Sequence, residues 1–178
     1  MNTINKKDIK KLHRYMKKNQ LGPVGTVIGI ILLATMVFSY VTREGHLVDG
    51  VYLQKCVDGD TAHFHIDGSL EKVRFIAVDT PEITSSDYYA KQAKDYTCGR
   101  LQEAEKIEIK IDPLAKEPDK YGRLIAWVYV DGELLQKELV EQGYASVKYI
   151  YDDYLYVDQL RQLEHQAKVN KIGIWKKQ

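Results

Sequence analysis

Four short stretches concentrate acids and arginines: Asp58-Gly59-Asp60-Thr61, Arg74, Asp79-Thr80-Pro81-Glu82 and Asp119-Lys120-Tyr121-Gly122-Arg123. Carboxylates brought together repel one another unless a proton or a cation neutralises them. Asp60, Asp79 and Glu82, with the backbone carbonyl of Thr80, form a set of hard oxygen donors of the kind that calcium takes. Arg74 and Arg123 nearby would grip phosphate oxygens in pairs and stabilise charge that builds up in a transition state. A carboxylate at the same place could accept a proton from an attacking water. The chemistry that needs all these parts is phosphodiester hydrolysis. Taken singly, the stretches also read as a turn, a strand end before a helix start, and an ordinary loop.

The elements must bring these stretches together. Residues 51–57 read as a strand ended by the Asp58-Gly59 turn. Thr61 to Asp67 alternates, with Ala62, Phe64 and Ile66 on one face and His63 and His65 facing solvent; Asp67-Gly68 is a hairpin signal. A third strand is expected over Glu71–Val78, stopped before Pro81. Hairpin pairing sets Asp60, at the start of one strand, beside Asp79 and Glu82 at the end of the next. Arg74 and Asp79 are five apart, on opposite faces of a flat strand, so a shared site requires a bend before Asp79. Ala90, Ala93, Thr97, Leu101 and Ala104 fall at helical spacing. Strands follow at Ile107–Ile111 and Leu124–Val130, then a short helix with Leu135, Leu139 and Val140 stopped by Gly143, and a last helix that carries Tyr156, Leu160, Leu163 and Ala167 and ends near Gly173. Trp127 and Trp175 are packing residues. Five strands with interleaved helices are compatible with a small closed barrel, without selecting it over other α+β folds.

The segments VDGDTAHFHIDGSLEKVRFIAVDTPE, DKYGR and ASVKYIY, in that order, resemble the staphylococcal nuclease (thermonuclease) family from about Val51 to Trp175. The spacings from Asp60 to Arg74 and from Arg74 to Asp79 are similar to the family's. The resemblance implies a five-stranded OB-fold barrel with three helices. It implies an endonuclease that hydrolyses DNA and RNA with Ca2+ and leaves 3′-phosphate ends. By the same resemblance Asp60, Asp79 and the Thr80 carbonyl hold the calcium, and Glu82 stands beside the metal-bound water as general base. Arg74 and Arg123 grip the phosphate; Lys120, Tyr121, Tyr149 and Tyr151 hold the nucleotide's phosphate and base. A ring beneath a base suits single-stranded or flexible substrate. The ITSSDYY loop after Glu82 is shorter than in the best-known member, and Asp152 and Asp153 follow Tyr151 where that member is basic. Weaker substrate capture and stronger dependence on the cation are expected. An inactive OB-fold module that binds nucleic acid or protein is the alternative; all five catalytic-type side chains are present here.

Residues 22–41 carry no charge over a length that can cross a bilayer, and Lys6, Lys7, Lys10, Lys11, Arg14, Lys17 and Lys18 precede them against Asp8 alone. The positive-inside rule keeps that end in the cytoplasm. The expected organisation is a basic cytoplasmic tail (1–21), a transmembrane signal-anchor (22–41), a linker (42–50) and an extracellular nuclease domain (51–178), monomeric and without an implied protein partner. The run Val37-Phe38-Ser39-Tyr40-Val41 is a poor cleavage site; were it cut, the domain would be secreted. Beyond residue 44 the chain has 18 basic and 23 acidic residues. That balance excludes bulk attraction to nucleic acid and leaves a local basic cluster or a bound cation to do the work. For Cys56 and Cys98, two inert thiols are the expected state and a disulfide the alternative.

Overall fold

A computed structural model of the chain describes residues 27–35, 45, 47–83, 89–116 and 118–177. The chain divides into units Met1–Glu44 and Gly45–Gln178. In the first, residues 27–35 are helical, with Ile28, Ile30, Ile31 and Leu32 all more than half exposed. This helix lies inside the expected span 22–41; the rest of that span, the basic tail 1–21 and residues 42–44 fall outside the described residues. Among the described residues no helix is long and apolar enough to cross a membrane.

The second unit is a closed barrel of five strands: β1 (Leu47–Cys56), β2 (Thr61–Ile66), β3 (Ser69–Phe75), β5 (Ile107–Ile111) and β6 (Leu124–Val130). They are ordered β3-β2-β1-β5-β6, and a parallel pairing of β3 with β6 closes the ring. Two short ladders flank it: β7 (Glu133–Leu134) continues the sheet beyond β6, and β4 (Val78–Asp79) pairs with β8 (Ser146–Val147). Asp67 and Gly68, and likewise Asp131 and Gly132, take positive φ, as two-residue hairpin turns require. The alternation in β2 holds: Ala62, Phe64 and Ile66 are buried. They face Val73 and Phe75 of β3, Ile109 of β5 and Val128 of β6 in one core. β1 starts at Leu47, within the stretch expected to be linker. Register shifts between Val48 and Val51 and between Leu53 and Lys55 let this one strand bend and serve both β2 and β5.

Three α-helices cover the barrel, α1 (Ala90–Gln102), α2 (Leu135–Glu141) and α3 (Val157–Val169). A 3-10 helix over Gly173–Lys177, not expected from the sequence, adds a fourth helical element. The face of α1 carrying Ala90, Ala93, Thr97 and Leu101 is buried, as its spacing predicts. Arg100 Nε and Nη2 donate to Glu138 at 2.8 and 2.9 Å and so tie α1 to α2. Between the β3 and β7 pairings, β6 would present unpaired backbone groups. The fully buried Gln136 fills that gap: Val128 N–H donates to its Oε1 (3.1 Å) and its Nε2 donates to the Ala126 carbonyl (2.9 Å).

Cys56 and Cys98 form a disulfide with Cα atoms 5.5 Å apart, 42 residues apart in sequence, which corrects the expectation of two thiols. Cys56 ends β1 and Cys98 lies on the buried side of α1. Next to it, Thr97 Oγ1 donates to the Gly59 carbonyl at 2.7 Å. The helix is thus fastened twice to the turn that carries Asp60. Closing a loop of this length is worth about 4 kcal/mol in the chain-entropy account. A Cys56→Ser, Cys98→Ser double variant is expected to lose several kcal/mol of stability in urea denaturation; an unchanged midpoint would show that the cross-link does not stabilise the fold.

Candidate active site

β3 does not run on to Val78 as the sequence suggests. It stops at Phe75, and the chain turns at Ile76 and Ala77, where Ala77 takes a φ of 61°. Ile76 N–H donates to the Ala126 carbonyl at 3.0 Å, which holds the turn against β6. This is the bend that the five-residue spacing of Arg74 and Asp79 requires. Thr61 pairs with Arg74 across the hairpin, and Phe75 N–H donates to the Asp60 carbonyl at 2.8 Å. The result brings Asp60, Arg74 and Asp79 into one ion network. Arg74 Nη1 lies 3.0 Å from Asp60 Oδ2, and its Nη2 3.3 Å from Asp79 Oδ1. Arg74 Nη1 also donates to the carbonyls of Val78 (2.8 Å) and Phe75 (3.2 Å).

Asp60 is buried beneath this network. Thr80 N–H donates to its Oδ2 at 2.8 Å and Thr61 Oγ1 to its Oδ1 at 3.1 Å. Its pKa is raised to about 6, chiefly by burial and in part by the Asp58 carboxylate, while Arg74 works to lower it. Gly59 makes the packing possible, because a Cβ there would stand 2.7–2.9 Å from the Thr80 side chain. Asp79 lies nearer the surface and has a second cation: Lys148 Nζ is 2.9 Å from its Oδ2. The hydrogen bond that it donates to Asp79 holds the Lys148 ammonium above its ordinary pKa.

Above the network opens a cleft of about 940 Å³, lined by Arg74, Asp79, Glu82, Arg123 and the rings of Tyr121, Tyr149, Tyr151 and Tyr154 among others. Arg123 is oriented by Asp119. Its N–H donates to Oδ1 and its Nε to Oδ2, both at 2.9 Å, while Nη2 lies 2.8 Å from Oδ2. Burial works against the Asp119 carboxylate, yet the backbone and side-chain donors of Arg123 and the N–H of Tyr121 outweigh it and lower the pKa. The Tyr121 ring lies under both Lys120 Nζ (4.9 Å) and the Arg123 guanidinium (5.2 Å). Tyr149, at a φ of 58°, sets its ring 5.8 Å from the Arg74 guanidinium. Tyr121, Tyr149 and Tyr151 are 68%, 54% and 80% exposed, so three large rings stand open to the cleft.

Asp60, Arg74, Asp79, Thr80, Glu82, Lys120, Tyr121, Arg123, Tyr149 and Tyr151 are therefore in or directly under one cleft, but the acids divide. Asp60 and Asp79 meet through Arg74, whereas Glu82, three residues beyond β4, lies on the cleft wall. Among the described residues no three of His, Cys, Asp and Glu are close enough together to hold a metal ion. The donor chemistry still fits calcium as two carboxylates and a carbonyl: Asp79 and Thr80 follow each other at the end of β4, and the Thr80 N–H donates to the Asp60 carboxylate at 2.8 Å, so all three hard-oxygen donors lie at one place. His63 and His65 stand apart from it, His65 paired with Gln54 at 3.0 Å. Lys148 and the orienting role of Asp119 were not anticipated, although both lie within segments already noted. The signal for Lys148 is the antiparallel β4–β8 ladder, which sequence periodicity does not reveal.

The model of the staphylococcal nuclease homologue family matches residues 72–177, which takes in Arg74, Asp79, Glu82, Arg123 and the tyrosines. The SPbeta prophage-derived endonuclease YokF of Bacillus subtilis is 37% identical over 74% of this chain and 45% of its own length. Endonuclease YncB of the same organism is 37% identical over 71% of this chain and 62% of its own. The chain thus spans between about half and three fifths of these two relatives. A thermonuclease of Staphylococcus hyicus is 31% identical over 90% of this chain and 99% of its own length. By the family match and by these likenesses, the chain belongs to the staphylococcal nuclease homologue family.

Proposed function

We propose that the chain is an endonuclease that hydrolyses phosphodiester bonds of DNA and RNA with calcium as its cofactor, leaving 3′-phosphate ends. The observation that supports this most directly is the one cleft lined by the guanidiniums of Arg74 and Arg123, the carboxylates of Asp79 and Glu82, and three exposed tyrosine rings. Asp60, Asp79 and the Thr80 carbonyl would hold the ion, which when bound supplies positive charge at the phosphate and polarises water. Glu82 accepts a proton from the attacking water at a carboxylate oxygen. Arg74 and Arg123 hold the phosphate from two sides and stabilise the charge that develops on its oxygens as the bond to the 5′ oxygen breaks. Lys120 and Tyr121 bind phosphate, and Tyr149 and Tyr151 offer stacking surfaces, which favours single-stranded or flexible regions. A binding-only module would have no use for this full set of acids and arginines around one cleft.

The domain acts outside the cytoplasm as a monomer, held by a membrane anchor over residues 22–41. The uncharged sequence of that span, the helical residues 27–35 and their exposed apolar side chains support the anchor. The Cys56–Cys98 disulfide supports an oxidising compartment.

Chelation of divalent cations is expected to abolish cleavage of plasmid DNA by the chain, with calcium restoring it; undiminished cleavage in chelator would remove the metal from the reading. Glu82→Gln is expected to lower kcat by about 10²–10⁴-fold with nucleotide Kd little changed, measured by steady-state kinetics and calorimetry. Equal turnover would remove the proposed base. Arg123→Ala is expected to cost about 10²–10³-fold in kcat, and a rate equal to the parent's would exclude a role in the transition state.

A further inference from the structure

Asp79 has a cation on each of its oxygens, and the two differ in kind. Arg74 on Oδ1 is built in: its side chain is 12% exposed and is bound also to Asp60 and to two backbone carbonyls. Lys148 on Oδ2 is a surface side chain, 56% exposed, with its ammonium 2.9 Å away. Its backbone is fixed, since Lys148 N–H donates to the Ala77 carbonyl at 3.1 Å beyond the β4–β8 ladder. The flexible stem and compact ammonium therefore pivot from a fixed point beside the cleft wall that Tyr149 forms.

A carboxylate that serves a divalent cation must give up its resident counter-charge when the ion arrives. Arg74 is held by four other oxygens, the carboxylate and carbonyl of Asp60 and the carbonyls of Phe75 and Val78, while among the described residues Asp79 is the acid within 4 Å of the Lys148 ammonium. We propose that Lys148 is a tethered counter-cation: it neutralises Asp79 while no divalent ion is bound, competes with that ion for the carboxylate, and once displaced turns to a phosphate of the nucleic-acid substrate. This rests on the reading that Asp60 and Asp79 hold calcium. It makes Lys148 a residue that couples cation binding to substrate capture, in a domain whose overall charge is acidic and does not attract nucleic acid in bulk.

The test is calorimetric titration of calcium into the full chain in detergent micelles, without nucleotide, for the parent and for Lys148→Met and Lys148→Arg. Removal of an exposed competing ammonium is expected to tighten calcium binding by about two- to five-fold in Lys148→Met, with Lys148→Arg restoring the parent affinity. At saturating calcium, Lys148→Met is expected to raise KM for a single-stranded DNA oligonucleotide and leave kcat unchanged. Calcium affinity in Lys148→Met equal to or weaker than the parent's, or an unchanged KM, overturns the proposal. Absence of calcium binding by the parent chain would instead overturn the underlying metal reading, so the two failures are distinguishable.

Discussion

The guanidinium of Arg74, wedged between Asp60 and Asp79, is the interaction on which the rest of the site depends. It joins the first residue before β2 to the last residue of β4, and it does so only because the chain turns sharply at Ile76 and Ala77. The same group satisfies the Phe75 and Val78 carbonyls that the turn removes from regular pairing. One side chain therefore both holds the turn and joins the two acids. Taking away one member of such a partly buried network leaves uncompensated charge, a larger penalty than the network's net contribution to stability.

Around that centre the fold supplies rigidity from behind. α1 is attached to the Asp58–Asp60 turn through the Cys56–Cys98 disulfide and the Thr97 hydroxyl, and to α2 through Arg100 and Glu138. Asp112, almost fully buried, accepts from the Trp127 indole (2.9 Å) and from Leu155 N–H (2.9 Å). It thereby ties the segment after Tyr151 to the barrel. The mobile-looking elements of the chemistry, long arginines and open tyrosine rings, are in this way carried on strands and turns whose own positions are locked. Such support is what holds a constellation to productive geometry.

Much of the barrel was legible because its signals are local. Alternation in β2, the Asp-Gly turns and the period of α1 each depend on residues within a few positions of one another. β5 and β6 fall within the bounds expected of them, for the same reason. The misses are all long-range. β1 extends to Leu47 because β5 pairs with it, the disulfide forms because α1 packs back on the end of β1, and β3 ends at Phe75 rather than Val78 because β6 closes the barrel there. Gln136 illustrates the point: a polar residue in a helix reads as surface, yet tertiary pairing leaves a gap in β6 that only an amide side chain at that place fills. The site residues were identified by family resemblance and by the chemistry of their types. Their division into a buried pair and a wall carboxylate was not readable from spacing.

The charge of the cleft follows a different logic from that of a basic nucleic-acid groove. Arg74, Lys116, Lys120 and Arg123 face the same space as Asp79, Glu82, Asp119 and Asp152. Two of those acids are already committed, Asp79 to Arg74 and Lys148, and Asp119 to Arg123. Each guanidinium on the cleft is thus partly neutralised by its own carboxylate, and the cleft offers little net attraction to a polyanion. Positive charge added at Asp79 would relieve Arg74 of its partner and shift the balance of the whole cleft toward phosphate. The second arginine, oriented by an acid on its own loop, needs no such release, since its Asp119 fixes direction while leaving further N–H donors on the fork. In an acidic domain, ion pairs of this kind lower the cleft's attraction for a polyanion and at the same time fix the direction of both guanidiniums.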